Sequence, residues 1–171
     1  MNAQVLTMII RDFNDQDVAP ANELTNSFIR DTVIHFGYTP ATNEEFAEVW
    51  QQSRAKYPWL AAEEAGRFLG YAKAGVWRTR DAYQFTAEAG IYMVPEARGQ
   101  GLGRQLYVEL LERLRAAGFH SAIGGVTLPN EASVRLHESL GFRKVGDFRE
   151  VGRKFDAWHD VGFWQIDLAR V

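Results

Sequence analysis

Residues 91–104 read IYMVPEARGQGLGR, an apolar segment that runs through a proline into a glycine-rich loop. Residues 86–94 have the composition of a β-strand, and after the loop Leu106, Leu110 and Leu114 recur at helical spacing. The loop therefore joins a strand to the start of a helix. At such a junction free backbone N–H groups meet the positive end of the helix dipole, which suits a phosphate group. A plain tight turn is the alternative.

The glycine spacing distinguishes three kinds of phosphate site. A P-loop requires Gly-Lys-Ser/Thr, whereas Gly103 is followed by arginine. A dinucleotide site requires G-x-G-x-x-G and an acidic residue about 20 positions later, and residues 121–127 contain neither Asp nor Glu. The third pattern, R-x-x-G-x-G, is met by Arg98, Gly101 and Gly103, and it predicts a site for the pyrophosphate of coenzyme A.

Composition limits the class of protein. The 171 residues suit one domain, here 1–171 with 1–7 as a flexible lead-in, and 46% hydrophobic with 24% charged residues is typical of a globular protein. A net charge of −3 argues against a nucleic-acid partner. The chain has no cysteine, and we predict no metal site. Residues 1–8 do not resemble a signal peptide and no apolar run spans a bilayer, so we expect a cytoplasmic protein without a membrane partner.

The elements follow the order β-α-α-β-β-β-α-β-α-β-β, which predicts one mixed α/β domain around a mostly antiparallel sheet. Thr42 and Glu45 form a capping box for the second helix, with Phe46, Val49, Trp50 and Ser53 as its inner stripe. We expect helices from Asn14, from Thr42, from Leu102 to Gly118 and from Pro129 to Gly141. We expect strands at 8–11, 59–63, 67–74, 86–94, 121–127, 142–149 and 158–168, with turns at Ala65-Gly66 and Asp156-Ala157.

A second motif follows the glycine loop: Asn130-x-x-Ser133-x-x-Leu136-His137-x-x-x-Gly141-Phe142. Together with the loop it resembles the GNAT superfamily, in which two splayed middle strands form a wedge for the pantetheine arm of acetyl-CoA. His137 stands where many members have tyrosine. The resemblance implies acetyl-CoA as co-substrate, with backbone contacts from Ile91, Tyr92 and Met93, pyrophosphate contacts from Gly99, Gln100, Gly101, Leu102, Gly103 and Arg104, and a side-chain contact from Asn130.

Several further segments resemble the phosphinothricin acetyltransferase family over nearly the whole chain. This likeness implies acetylation of the α-amino group of small amino-acid analogues, such as phosphinothricin, methionine sulfoximine or methionine sulfone. The family also suggests a homodimer through the aromatic strand 158–164, although core packing explains those aromatics as well. The segments are Tyr57-Pro58-Trp59-Leu60, Ala82-Tyr83, Gly118-Phe119, Leu128-Pro129-Asn130, Leu136-His137-Glu138 and Trp158-His159-Asp160-Val161-Gly162-Phe163-Trp164-Gln165.

The resemblance also assigns two catalytic residues. A general base must remove a proton from the substrate ammonium, and Glu88 matches the family's base. His137 matches the group proposed to act near the thioester, where a proton donor helps the thiol to leave. A salt-bridged strand glutamate and a core histidine are the respective structural alternatives.

The acceptor's acidic groups need cationic partners. The segment Trp77-Arg78-Thr79-Arg80 with Tyr83 offers two guanidiniums between aromatics, and the family uses this loop for substrate, with Phe36 closing the pocket. Arg78 stands where some members have lysine. A solvated charged loop is the alternative. An acetyltransferase for a peptide amine or a polyamine, and a non-catalytic module that binds acetyl-CoA, remain as rival functions.

Overall fold

The computed structural model describes residues 8–170, which form a seven-stranded sheet flanked by four α-helices. The mixed α/β fold and the order of its elements are confirmed. The expected lead-in at 1–7 lies outside the described residues. The strands are β1 (Ile9–Asp12), β2 (Trp59–Glu64), β3 (Arg67–Val76), β4 (Thr86–Met93), β5 (Ser121–Leu128), β6 (Arg143–Lys154) and β7 (Ala157–Asp167), and the helices are α1 (Val18–Asp31), α2 (Asn43–Ser53), α3 (Leu102–Ala116) and α4 (Glu131–Ser139).

The sheet has the strand order β1-β2-β3-β4-β5-β7-β6, and every pair is antiparallel except β4 with β5. The parallel pairing of β4 and β5 covers only three residues on each strand and ends at Glu88 and Ile123. Beyond that point β4 stays paired with β3 and β5 with β7. The two middle strands therefore splay apart, as predicted, and leave a wedge between them.

Two hydrophobic cores cover the two faces of the sheet. On one face α3 and α4 pack over a cluster that includes Leu60, Tyr107 and Trp164. On the other face α1 and α2 pack over a smaller aromatic cluster around Phe13 and Tyr71. Because side chains alternate along each strand, consecutive residues of β4 and β5 belong to different faces. This alternation decides which predicted site residues can meet.

The two predicted helix starts have different outcomes. The capping box of α2 is confirmed, since Thr42 Oγ1 accepts from the Glu45 amide and the Glu45 carboxylate accepts from the Thr42 amide. Asn14 and Asp17 also form a capping box at the predicted spacing, but the element that they cap is a short 3-10 turn at Asp15–Asp17, and α1 begins after it.

The predicted inner stripe of α2 is partly wrong, because Val49 is 54% exposed. The buried residues of α2 are Phe46 and Trp50, which lie one turn apart on a narrow face. Val49 is rotated about 100° from Trp50 around the helix and so faces away from the core.

The later boundaries also differ slightly. α4 begins at Glu131, because Asn130 is its N-cap and Pro129 lies before it. β6 continues to Lys154, since bulges after Lys144 and Phe148 let pairing with β7 resume. The final turn therefore uses Phe155 and Asp156, both at positive φ, one residue earlier than expected.

Within residues 8–170 no helix is long and apolar enough to cross a membrane. In the same residues no three His, Asp or Glu side chains lie close enough together to hold a metal ion.

Candidate active site

No side chain caps the N-terminus of α3. Gly101 is the N-cap residue at φ +77°, a conformation that suits glycine, and it has no side chain to accept from the first amides. The first turn contains no acidic residue, whereas α2 and α4 are capped by Thr42 and Asn130. A Cβ at Gly99 or Gly101 would meet nothing within 4 Å. Free amides, the helix dipole and open space together form a site that fits a pyrophosphate.

The side chains of the loop brace it from within. Arg98 Nε donates to the Met93 carbonyl at 3.0 Å, and its guanidinium lies over the ring of Phe28. Gln100 Nε2 donates to the Glu96 carbonyl at 2.6 Å. These contacts fix the loop against β4 and α1 and leave its backbone amides as the groups that can meet an anion.

The wedge lies directly before this loop along the chain. Ile91, Tyr92 and Met93 belong to the part of β4 that no longer pairs with β5, so one edge of this backbone can pair with an extended ligand. On the opposite wall, Asn130 Oδ1 accepts from the Ser133 amide at 3.2 Å. Within the described residues the Asn130 amide nitrogen has no hydrogen-bond partner. These residues therefore fit the coenzyme contacts expected of them.

Glu88 lies at the point where β4 and β5 separate, opposite Gly75 on β3. Its side chain is exposed to water. Partial desolvation by the surrounding atoms raises the pKa of Glu88 above the ordinary value, and the positive charges of Lys73 and Arg78 oppose this rise. Within residues 8–170 Glu88 forms no ion pair, so the salt-bridged alternative does not describe it.

His137 lies in the core, 4% exposed. Its Nδ1 donates to the Ser133 carbonyl at 2.8 Å, and Nε2 lies 3.1 Å from the Tyr107 hydroxyl. That hydroxyl is also 3.3 Å from the Ala89 carbonyl, just past the end of the β4–β5 pairing. Burial lowers the pKa of His137, although the bond to Ser133 opposes the shift, so the imidazole is neutral at neutral pH.

Glu88 and His137 lie on opposite faces of the sheet. The His137 ring packs against Gly124 so closely that a Cβ there would overlap it, while a Cβ at the next residue, Gly125, would lie 3.9 Å from Glu88 Oε1. Direct proton donation by His137 stays a prediction. The geometry adds Tyr107 as the group between His137 and the backbone of β4.

Only part of the predicted substrate loop, residues 77–83, packs against neighbouring strands near Glu88. The Trp77 ring packs edge-on against Phe163 at 5.4 Å between centroids, and the Arg78 guanidinium stacks 4.2 Å over Trp77. Phe36 reaches the β6–β7 hairpin, where its ring lies against Gly152 and 6.3 Å from His159. The remaining predicted residues are exposed and make no side-chain contact with Glu88 or Phe36 among the described residues: Thr79, Arg80 and Tyr83.

Sequence reasoning missed two residues near the site, Lys73 and Tyr107. Lys73 stands on the same sheet face as Glu88, and its signal was a lone charge within the apolar run LGYAKAGV. Tyr107 occurs among the leucines of α3 and reads as an ordinary core aromatic. Only the packing of α3 against α4 brings its hydroxyl to His137.

Comparisons with known proteins identify the family. Residues 22–142 match the model of the acetyltransferase (GNAT) family. A phosphinothricin N-acetyltransferase of Streptomyces viridochromogenes is 40% identical over 93% of this chain and 87% of that protein. The L-methionine sulfoximine/L-methionine sulfone acetyltransferase of Salmonella typhimurium is 37% identical over 94% of this chain and 95% of that one.

A solved structure repeats the fold. The GNAT superfamily phosphinothricin acetyltransferase of Sinorhizobium meliloti, in complex with acetyl-CoA, is 34% identical with a TM-score of 0.90, covering 95% of this chain and 89% of that one. The chain therefore belongs to the acetyltransferase (GNAT) family and is an acetyl-CoA-dependent N-acetyltransferase.

Proposed function

We propose that the enzyme acetylates the α-amino group of a small amino acid whose side chain carries a second acidic or tetrahedral group, as in phosphinothricin, methionine sulfoximine or methionine sulfone. The observation that carries the proposal is Glu88: an exposed, unpaired carboxylate at the apex of the wedge, with the cations Lys73 and Arg78 close enough to lower its pKa. A carboxylate can accept a hydrogen bond from the acceptor's ammonium, and the two cations can donate to the acceptor's acidic groups.

The coenzyme lies along the wedge in this proposal. Acetyl-CoA supplies the acetyl group as a thioester and leaves as the thiol. The backbone of 91–93 pairs with its pantetheine arm, the amides of 99–104 bind its pyrophosphate, and the Asn130 amide donates to it. Support comes from the unpaired edge of β4 and the uncapped start of α3.

Glu88 takes the proton from the acceptor ammonium, directly or through one water, so that the nitrogen can attack. Its raised pKa makes it a stronger base than an ordinary glutamate. Activity requires the ionised form, so kcat/KM falls as pH drops through the Glu88 pKa. The midpoint of this acidic limb therefore lies at a higher pH than the ordinary pKa of a glutamate.

The thiolate that leaves takes up the proton that the acceptor nitrogen loses as the amide forms. Nδ1 of the neutral imidazole keeps its proton on the Ser133 carbonyl, so Nε2 accepts from the Tyr107 hydroxyl and orients it. Burial raises the pKa of Tyr107, so this hydroxyl keeps its proton, and the pair acts near the thioester by hydrogen bonding and not by giving up a proton.

On the acceptor side, Arg78 binds an acid beside Glu88, with Trp77 holding the guanidinium in place. Phe36 covers the cleft from the loop after α1, and Thr79, Arg80 and Tyr83 complete its outer rim. A polyamine would meet cations here, and this disfavours it as an acceptor.

A panel of acceptors tests the proposal, with thiol release measured on purified enzyme. We expect turnover of phosphinothricin, methionine sulfoximine and methionine sulfone to exceed that of spermidine and of peptide amines. Glu88→Gln should lower kcat by roughly 10² and abolish the acidic limb of the pH profile, with the KM for acetyl-CoA little changed. Glu64→Gln, at the other end of the sheet, is the matched control. Preference for spermidine, or full activity of Glu88→Gln across the pH range, would refute the proposal.

The proposal includes a homodimer. β6 forms the edge of the sheet, and the β6–β7 hairpin exposes a row of large apolar side chains that a monomer leaves in water. Association through this edge would bury them. The side chains are Val145, Phe148, Val151, Phe155 and Trp158.

A further inference from the structure

Lys73 presents an unpaired ammonium on the sheet face that carries Glu88. It lies in the middle of β3, half-buried, and pairs across the strands with Trp59 and Gly90. Its Nζ lies 4.8 Å from the centroid of the Trp59 ring. Within residues 8–170 no oxygen accepts a hydrogen bond from Nζ and no carboxylate pairs with it. Burial lowers the pKa of Lys73, and the charge of Glu88 opposes this shift, so the ammonium is costly to hold with the Trp59 ring and without an oxygen acceptor. A ligand oxygen that accepted from Nζ would therefore bind favourably.

The floor between Lys73 and Glu88 is bare of side chains. Gly90 faces Lys73 across β3 and β4, and Gly75 faces Glu88 two residues along. A Cβ at Gly75 would meet nothing within 4 Å, and one at Gly90 would meet only the Tyr92 ring, at 4.0 Å. Lys73 and Glu88 thus occupy diagonal corners of a four-residue block whose other corners are empty. Diagonal neighbours of this kind lie about 7–8 Å apart, which leaves room for a small ligand between them.

The charges around this block favour an anionic ligand. Lys73 and Arg78 are positive and Glu88 is negative, so the three carry one net positive charge. His35 lies beside Lys73, and burial, followed by the positive charges of Lys73 and Lys154, lowers its pKa, so that it adds no charge at neutral pH. An amino acid with an acidic side chain has one ammonium and two acids, and its net negative charge balances the block.

The covalent structure of the acceptor decides which acid meets which cation. The amino group must lie at Glu88, and the α-carboxylate is only two bonds away, so it stays on the side where Arg78 acts. The side chain extends from the same carbon across the bare glycines toward the other corner. We infer that Lys73 is a specificity-determining residue whose ammonium binds the acidic group in the acceptor's side chain. This inference rests on the proposed function, and it implies a preference for acidic over neutral side chains.

Steady-state kinetics with two acceptors test the inference. Phosphinothricin has an acidic side chain and methionine sulfone a neutral one, while both share the α-amino acid group. Lys73→Met should raise the KM for phosphinothricin roughly ten- to a hundredfold, as expected for a lost charge-assisted contact. The KM for methionine sulfone should change less than about threefold. Lys73→Arg keeps the charge and should retain most of the affinity for phosphinothricin.

Lys56→Met is the matched control, because it removes one exposed lysine outside the cleft. Equal increases in both KM values would overturn the inference, since they would assign Lys73 to the α-carboxylate. Unchanged KM values would also overturn it, because Lys73 would then act only on Glu88. A shift of the pH profile that is the same for both acceptors is expected in either case, since the charge of Lys73 lowers the pKa of Glu88. If the wild-type enzyme acetylates neither compound, the proposed function fails and the inference with it. Turnover of both by wild type, without the selective loss, refutes the inference alone.

Discussion

The contact between Gly124 and His137 provides a quantitative test of the core beneath the wedge. In Gly124→Ala the new Cβ would lie 2.7 Å from His137 Cδ2 and still closer to Nε2. Restoring an ordinary carbon contact requires the ring to retreat by about 0.8 Å. Phe142 and Tyr107 pack edge-on against that ring at 5.1 and 5.3 Å between centroids, so it has little room.

The expected loss follows from two effects. Overpacking of a filled core costs about 1–3 kcal/mol, and loss of the hydrogen bond between Tyr107 and His137 adds about 1 kcal/mol. The sum of about 2–4 kcal/mol corresponds to a drop in Tm of about 4–16 °C for a chain of this size. Circular dichroism melts of Gly124→Ala and of Gly75→Ala measure it. A Cβ at Gly75 meets no atom within 4 Å, so this control should melt near the wild type. A Gly124→Ala variant that melts within 2 °C of the wild type would refute the packing described here.

Two further predictions concern the coenzyme site and the dimer. Gly101→Val should weaken acetyl-CoA binding at least tenfold by calorimetry, since the new side chain would occupy the path of the pyrophosphate. Gly66→Val, at the matching φ of +76°, should strain a distant turn and leave acetyl-CoA binding intact. Equal weakening by both variants would remove the pyrophosphate assignment. Light scattering should give twice the 19.4 kDa chain mass for the wild type and a single chain mass for Val151→Lys, and a monomeric wild type would exclude the dimer.

The local sequence determined most of the fold and the segments proposed for the coenzyme. The glycine loop, the leucine stripe of α3 and the capping box at Thr42 are all signals within a few residues, set by backbone freedom, helical spacing and hydrogen bonds to nearby amides. Such signals can be interpreted from a short segment, without knowledge of the rest of the chain. Periodicity alone could not set the width of the buried face of α2, and Val49, predicted to be inner, is exposed beside Phe46 and Trp50.

The cleft was decided by tertiary structure. Glu88 and His137 are both recognisable in the sequence, but the face that each one occupies depends on the alternation along β5 at Gly124 and Gly125. Lys73 looked like an incidental charge in an apolar strand until the antiparallel register placed it diagonally from Glu88, with glycines at the other corners. Register joins residues that are far apart in the chain, and no pattern within one strand contains that information. The sequence by itself therefore determined the backbone segments that we propose for the coenzyme, and the pairing of β3, β4 and β5 decided which side chains share a sheet face with Glu88.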